Sequence, residues 1–252
     1  MRMNSPKGKE LLALIRKGNY AHPGEEEAID LVFEGYIRDP GKRILDAGCG
    51  RGGTASYIQE KGLGTVCGID IDPSSIDFAT KAYPMIRFFC YDICSSSSLR
   101  QHTGKFDVIC MLTSLYAIQD QQKALSELRM LVDPGSEILV FDYSSPGAKH
   151  VQISGRPEHA PWFPVPVTDA PDVFGKSGWD LIKILDISEH FIKWYTWLVD
   201  RIFQNKDRII LCSNNEWFDF MHGFYSGLLK TLEMGKTGGA IFHAAATRSQ
   251  PE

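Results

Sequence analysis

Ile44-Leu-Asp-Ala-Gly-Cys-Gly-Arg-Gly-Gly53 is the stretch whose reading decides the fold. Arg43-Ile-Leu-Asp46 is a short apolar run stopped by glycines, and Gly53 to Lys61 can form a helix, so the segment reads as strand, tight turn, helix. Glycines in such a turn let the backbone bend sharply and approach a ligand closely, with the first amides of the helix pointing at it. The turn alone does not choose the ligand, because Gly48, Gly50 and Gly53 also satisfy the Gly-x-Gly-x-x-Gly of dinucleotide-binding folds.

Outward from the turn the alternation continues. Thr65-Val-Cys-Gly-Ile-Asp70 reads as a second strand. Asp72-Pro73 opens a helix with an N-cap and a proline at the first helical position, running to about Ala82. Ile86 to Cys90 is a third strand, followed by the serine-rich turn at 95–98 and a short helix. Phe106 to Met111 is the fourth strand, and Gln121 to Val132 carries helical periodicity through Leu125, Leu128 and Leu131. Asp133-Pro-Gly135 is expected to break that helix before a fifth strand, Glu137 to Phe141. Near-continuous apolar strands separated by helices predict an α/β fold with a parallel sheet covered on both faces.

After Tyr143 the period changes. Five prolines between His150 and Asp172 (157, 161, 164, 166 and 171) mark an irregular segment. A helix is expected over Ser177 to Ile182 and a strand over Ile184 to His190. Aromatic-rich helices follow over Phe191 to Phe203 and Glu216 to Met234, and a closing strand over Gly238 to Ala246.

Three carboxylates give the turn its chemical sense. Asp70 ends the second strand about 20 residues after the glycines, where a carboxylate accepts ribose hydroxyls. Asp46 lies two residues before the first glycine; it would repel a pyrophosphate but attracts a sulfonium or an ammonium. Asp92 closes the third strand and can accept from an adenine amino group. The end of the fourth strand, Leu112-Thr-Ser-Leu115, faces the same crevice by the topology of such sheets.

Composition narrows the function classes. The 252 residues carry a formal net charge of −4, 43% hydrophobic and 23% charged residues, an ordinary globular balance with no electrostatic pull toward nucleic acid. No apolar run reaches the ~20 residues that cross a bilayer, and the apolar stretch at Leu11 to Ile15 is too short for a secretory signal. Of six cysteines, Cys67, Cys90 and Cys110 lie in apolar strands as small hydrophobes, and no Cys-x-x-Cys pair predicts a metal site. A cytoplasmic protein with reduced thiols is expected.

Ile44 to Gly53, Gly68-Ile-Asp70, Tyr91-Asp92 and Leu139-Val-Phe-Asp142-Tyr143 resemble the successive motifs of class I S-adenosylmethionine-dependent methyltransferases. More narrowly, Gly18-Asn-Tyr20 followed by His22-Pro-Gly24-Glu25, and Asp186 to His190 before the Trp194 helix, resemble the phosphoethanolamine N-methyltransferase group. The resemblance implies a Rossmann-like sheet of seven strands ordered 3-2-1-4-5-7-6 with the seventh antiparallel. It implies S-adenosyl-L-methionine as cofactor, S-adenosyl-L-homocysteine as product, and cofactor contacts at Tyr20, Asp46, Gly48, Gly50, Asp70, Ile71, Asp92, Ile93 and Leu112. The expected organisation is one domain over 1–252. Its parts are an N-terminal helical segment at 1–40 over the cofactor, a cofactor-binding half at 41–143, a substrate cap at 144–237 containing the sixth strand, and a last strand at 238–246.

The expected activity is methyl transfer to a small-molecule nitrogen or oxygen nucleophile by in-line displacement, in a monomer or homodimer. Such a reaction chiefly needs alignment and exclusion of water, with a base only if the nucleophile arrives protonated. In the phosphoethanolamine group a tyrosine of the N-terminal segment and a histidine after the fourth strand assist the nucleophile. The tyrosine position falls on Tyr20 and the histidine position on Ala117, next to Tyr116. Arg156 and Lys236 fall in the regions of that group's phosphate-binding cluster. The catalytic candidates are therefore Tyr20, His22 and Tyr116, with His150, His190, His222 and Tyr143 behind them. Two other readings stand beside this one: a nicotinamide-dependent oxidoreductase using the same glycine turn, and a non-catalytic S-adenosylmethionine-binding module.

Overall fold

The computed structural model describes residues 1–16, 18–147 and 162–248. Two helices, α1 (Pro6–Arg16) and α2 (Glu25–Val32), precede the sheet. The first half alternates strictly: β1 (Arg43–Ala47), α3 (Gly53–Glu60), β2 (Thr65–Asp70), α4 (Pro73–Ala82), β3 (Arg87–Cys90), α5 (Arg100–Thr103), β4 (Phe106–Leu112), α6 (Gln121–Arg129) and β5 (Val132–Ser145). The second half adds β6 (Val165–Pro166), α7 (Ala170–Lys176), β7 (Trp179–Asp186), α8 (Ser188–Gln204), α9 (Lys206–Cys212), α10 (Asn215–Glu233) and β8 (Gly238–Ala246).

The strands run in the order β3-β2-β1-β4-β5-β8-β7, with β6 paired to the far end of β5. β8 is antiparallel to both neighbours and the other pairs of the main path are parallel. With β7 and β8 as sixth and seventh strands, this is the expected order plus one two-residue strand. Parallel pairing brings the carboxyl ends of β1, β2 and β4 to one edge, where Asp46 pairs with Gly68 on one side and Cys110 on the other.

The period of two along each strand divides the core between the faces of the sheet. Ile44, Val108, Cys110, Leu112, Leu139 and Phe141 join one apolar cluster with α1, α2, α8 and α10. Leu45, Ile109, Met111, Ile138 and Val140 join the other with α6, α7 and Trp179. Each such side chain contributes about 1.5–3 kcal/mol by leaving water.

Four expectations are corrected. The stretch 177–182 is not a helix, and the sixth strand does not run over 184–190. Instead α7 ends at Lys176, Gly178 turns the chain with φ 83°, and β7 occupies Trp179–Asp186. Trp179 anchors that strand by donating its indole N–H to the Leu125 carbonyl at 2.9 Å. His190 belongs to α8, whose start is fixed by Asp186 accepting from the Ser188 amide at 2.8 Å. Asp133-Pro-Gly135 does not separate a helix ending at Val132 from a strand starting at 137. The helix ends at Arg129 and β5 begins at Val132, carrying the proline in a bulge where pairing slips from Phe106↔Val132 to Val108↔Glu137. Cys90 is exposed, because β3 is an edge strand; Cys67 and Cys110 are buried. Within the proline-rich segment, Val165–Pro166 extends the sheet, while Arg156 and His150 lie outside the described residues.

Candidate active site

The glycine turn is held by backbone. The Gly48 and Cys49 amides both donate to the Ile69 carbonyl, at 2.8 and 2.9 Å, which pins the turn to the end of β2. Gly48 has φ 89°, and a Cβ there would overlap Ser114 beyond β4. A Cβ at Gly53 would lie 2.8 Å from the Asn19 carbonyl. Only glycine lets the N-terminal segment cross the turn this closely.

Asp46 is fully buried and its Oδ2 has no hydrogen-bond partner. Burial, reinforced by the nearby Asp70 charge, pushes its carboxyl up to about 7, against an opposing hydrogen bond from the Ala55 amide. An orphan anion at this depth is stabilised by a cationic ligand. Asp70 accepts from the Gly50 amide at 2.8 Å and from the Asp72 amide at 2.9 Å, one on each oxygen. A carboxylate offers about four lone-pair sites, so both oxygens retain room for hydroxyl donors. Asp92 is exposed and accepts from the Cys94 amide at 2.9 Å. Ile71, next to Asp70, is 67% exposed, an apolar surface at the strand ends that a purine can cover; Ile93 and Leu112 are buried. Thr113, following Leu112, sits at φ 52°, a strained conformation for a β-branched residue at the crevice.

Over this edge lies the segment that joins α1 to α2. Tyr20 is half-buried and donates to Glu26 Oε1 at 3.3 Å; burial, then Glu26, raises its pKa, so the phenol stays protonated. Its ring meets His22 edge-on at 5.7 Å. His22 is 1% exposed. Its Nδ1 lies 3.1 Å from the Pro23 carbonyl, which can only accept, so Nδ1 carries the proton and Nε2 accepts from the Thr54 hydroxyl at 3.0 Å. Burial pushes its pKa down to about 3. The imidazole is a neutral clamp between this segment and α3, with both nitrogens engaged.

The acidic first turn of α2 fastens the same segment to the cap. Glu25 pairs with Arg201 at 2.8 Å, and Glu27 accepts from Lys193 at 3.0 Å and from the Trp194 indole at 2.9 Å. Tyr116 follows β4, half-buried, with its ring 4.9 Å from Tyr143 and 5.1 Å from Trp162. Asp142, completely buried, orders this corner. Its Oδ2 accepts from the Leu115 and Tyr116 amides at 2.8 and 3.2 Å, and its Oδ1 from the Tyr143 amide at 2.7 Å. Burial lifts its carboxyl to about 7 against those donors.

Tyr20, His22, Asp46, Gly48 and Gly50 are thus brought around one edge of the sheet, with Asp70, Asp92 and Leu112 ending its strands. The outlying histidines have other company: exposed His190 lies against Trp194, and His222 stacks on Phe218. Ala117 and Lys236 are exposed. Sequence reasoning missed Asp142 as an organiser, although an aspartate closing a buried strand was a usable signal. It also did not foresee that the Tyr195 hydroxyl hydrogen-bonds that of Tyr143, a pairing that nothing in the sequence marks. Among the described residues, no helix is long and apolar enough to cross a membrane.

Residues 44–135 match the family described as a methyltransferase domain. The chain is 24% identical over 230 residues to phosphoethanolamine N-methyltransferase 1 of Zea mays, covering 89% of this chain and 45% of that protein. It is 29% identical over 133 residues to norajmaline N-methyltransferase of Rauvolfia serpentina, covering 48% of this chain and 45% of that one. The chain therefore spans less than half the length of these relatives. Among solved structures, phosphoethanolamine N-methyltransferase 2 of Haemonchus contortus, in complex with phosphomonomethylethanolamine and S-adenosylhomocysteine, superposes with a TM-score of 0.82 at 17% identity. That match covers 97% of this chain and 58% of the other. A cyclopropane synthase of Mycobacterium tuberculosis gives 0.79 at 14%, covering 96% and 94%. The matched domain occupies residues 44–135, and the sheet around it has the strand order and the antiparallel closing strand of the class I methyltransferase fold shared by these structures.

Proposed function

We propose that the chain transfers the methyl group of S-adenosylmethionine to a small-molecule nitrogen or oxygen nucleophile enclosed between the Tyr20–His22 segment and the aromatic cap. The observation that carries this reading is Asp46: a buried carboxylate with an unpartnered oxygen beside a glycine turn asks for a cation. Asp46 would face the charged methionyl end of the cofactor, Asp70 the ribose, and Ile71, Asp92 and Ile93 the adenine. Gly48, Gly50, Leu112 and Tyr20 would enclose the remainder. The cofactor supplies a methyl group on a sulfonium, a bond already polarised for displacement.

What the protein adds is alignment. Tyr20, its one proton donated to Glu26, can accept an N–H or O–H hydrogen bond from the acceptor through its oxygen and hold it in line. His22 acts as a positioning residue, since neither ring nitrogen is free to take a proton. Tyr116, packed on Tyr143 and Trp162, would form the opposite wall. The names of the relatives as N-methyltransferases favour nitrogen as the acceptor atom. Exposed free thiols at Cys90 and Cys212 fit a reducing, cytoplasmic setting.

Calorimetric titration with S-adenosylmethionine and with NAD, followed by a screen of amine and hydroxyl acceptors for release of S-adenosylhomocysteine, tests the reading. Binding of the first ligand alone, with turnover on at least one acceptor, is expected. Tight NAD binding would overturn it, and cofactor binding without turnover across the screen would favour a non-catalytic module.

A further inference from the structure

The last residue of α1, Arg16, is 4% exposed, and its Nε and Nη1 are buried with no hydrogen-bond partner. None of the ion pairs among the described residues includes it. A guanidinium does not lose its proton in a protein, so this is a permanent positive charge taken out of water with no ion-pair partner among the described residues, an unfavourable placement unless an anion joins it.

The described residues around it do not supply the missing anion through an ion pair. His22, Tyr195 and Tyr225 feel its charge, and all three are neutral at neutral pH: burial pushes the histidine down to about 3 and raises both phenols. The preceding residues of α1, Leu11, Leu12 and Ile15, pack in the same apolar cluster as Phe191, Trp194, Tyr195, Met221 and Tyr225. Arg16 therefore lies where α1 meets the cap formed by α8 and α10.

The tyrosines around it lead to the proposed reaction site. Tyr225 stacks on Tyr195 at 6.0 Å, and Tyr195 shares a hydroxyl hydrogen bond with Tyr143. Tyr143 lies 4.9 Å from Tyr116, next to the end of β4. On the other side, His22 touches Tyr20. An acceptor with its nucleophile beside Tyr20 and Tyr116 would reach toward Arg16 with its far end.

We propose that Arg16 anchors an oxyanion group, a carboxylate or a phosphate, carried by the methyl acceptor, with Tyr195 and Tyr225 flanking it. This rests on the methyl-transfer reading, because it places the anchor at the far end of the same acceptor. Arg16 is then a specificity-determining residue, and the anion it meets completes the buried charge.

The test uses the full chain loaded with S-adenosylhomocysteine. Three amines serve as calorimetric probes: phosphoethanolamine for the phosphate arm, 3-aminopropanoate for the carboxylate arm, and ethanolamine as the neutral control. At least one anionic probe should bind the parent more tightly than ethanolamine, and Arg16→Met should weaken it at least about tenfold. The tighter arm identifies the anion. Without any probe, Arg16→Met should raise the melting temperature by about 2–4 °C, because an unpaired buried charge is replaced by an apolar chain. A lowered melting temperature or a failure to fold would mark the arginine as structural and overturn the proposal. So would anionic probes that bind no better than ethanolamine, or equally well to parent and variant. Cofactor affinity is read separately: its absence in the parent would sink the methyl-transfer reading, whereas its presence beside an unresponsive Arg16 would sink only the anchor.

Discussion

At the end of β1, Asp46 is buried with one carboxylate oxygen unpartnered; at the end of α1, Arg16 is buried with two guanidinium nitrogens unpartnered. The two regions differ in sign and in construction. Around Asp46 the chain is held by backbone amides: those of Gly48 and Cys49 donate to the Ile69 carbonyl, and that of Gly50 to the Asp70 carboxylate. Around Arg16 it is held by stacked side chains from helices far apart in the chain, Tyr195 on α8 and Tyr225 on α10. The first region suits a cationic ligand and fixes its position through the main chain. The second suits an anionic group and defines it through side chains alone. On the proposed reading, one fold would combine a fixed cofactor cradle with an acceptor pocket whose selectivity changes without disturbing that cradle.

The joint between the two regions is the place to break this division, and Asp142 is its strongest link. Asp142→Ala strands the Leu115, Tyr116 and Tyr143 amides in the interior, so chemical denaturation should show a loss of about 4 kcal/mol. A loss below about 1 kcal/mol would mean that the corner does not depend on this carboxylate. Gly48→Ala attacks the cradle itself, combining a left-handed backbone with an overlap on Ser114. A destabilisation of about 3 kcal/mol is expected, and a variant as stable as the parent would show that the turn can relax.

His22 sharpens the comparison through pH. Its folded pKa lies far below the unfolded value of about 6.5, so the native state resists its protonation. Stability linked to this group is complete above about pH 6.5 and is lost as pH falls toward 3. Asp46 and Asp142, with raised values, act oppositely: the folded state binds their protons first, so their contribution grows as pH falls from about 7 toward 4. Measured against His22→Gln, the parent's stability advantage should therefore shrink by about 2 kcal/mol between pH 7.5 and pH 5. A constant difference would show that the imidazole protonates freely. The smallest effect concerns Tyr20→Phe, which should lower kcat roughly tenfold while leaving affinity for S-adenosylmethionine within about twofold. Equal turnover would remove the hydroxyl from the alignment.

The same contrast decides how much could be read beforehand. Glycines, a proline at a helix start and carboxylates at strand ends act on neighbours in sequence or through backbone, so Gly48, Asp70 and the Asp72 cap were legible. The closing strand over Gly238–Ala246 was legible too, from its uniform small and apolar residues. The stretch after Gly178 was not, because Trp179 is committed to a strand by a hydrogen bond to Leu125, some fifty residues earlier. His22 invited a role as a base, and only the positions of Pro23 and Thr54 reveal both nitrogens as occupied. Arg16 looks in sequence like an ordinary basic residue ending a helix. Its importance lies wholly in what α8 and α10 pack around it.

The central claim is that the buried carboxylate beside the glycine turn binds a cation, and titration calorimetry with S-adenosylmethionine tests it most directly. The parent should bind with affinity that rises as pH increases through about 7, since binding favours the ionised Asp46 and releases its proton. Asp46→Asn should bind at least about tenfold more weakly and lose that pH dependence. Equal affinity in parent and variant at pH 7.5, or no binding by the parent, would contradict the account.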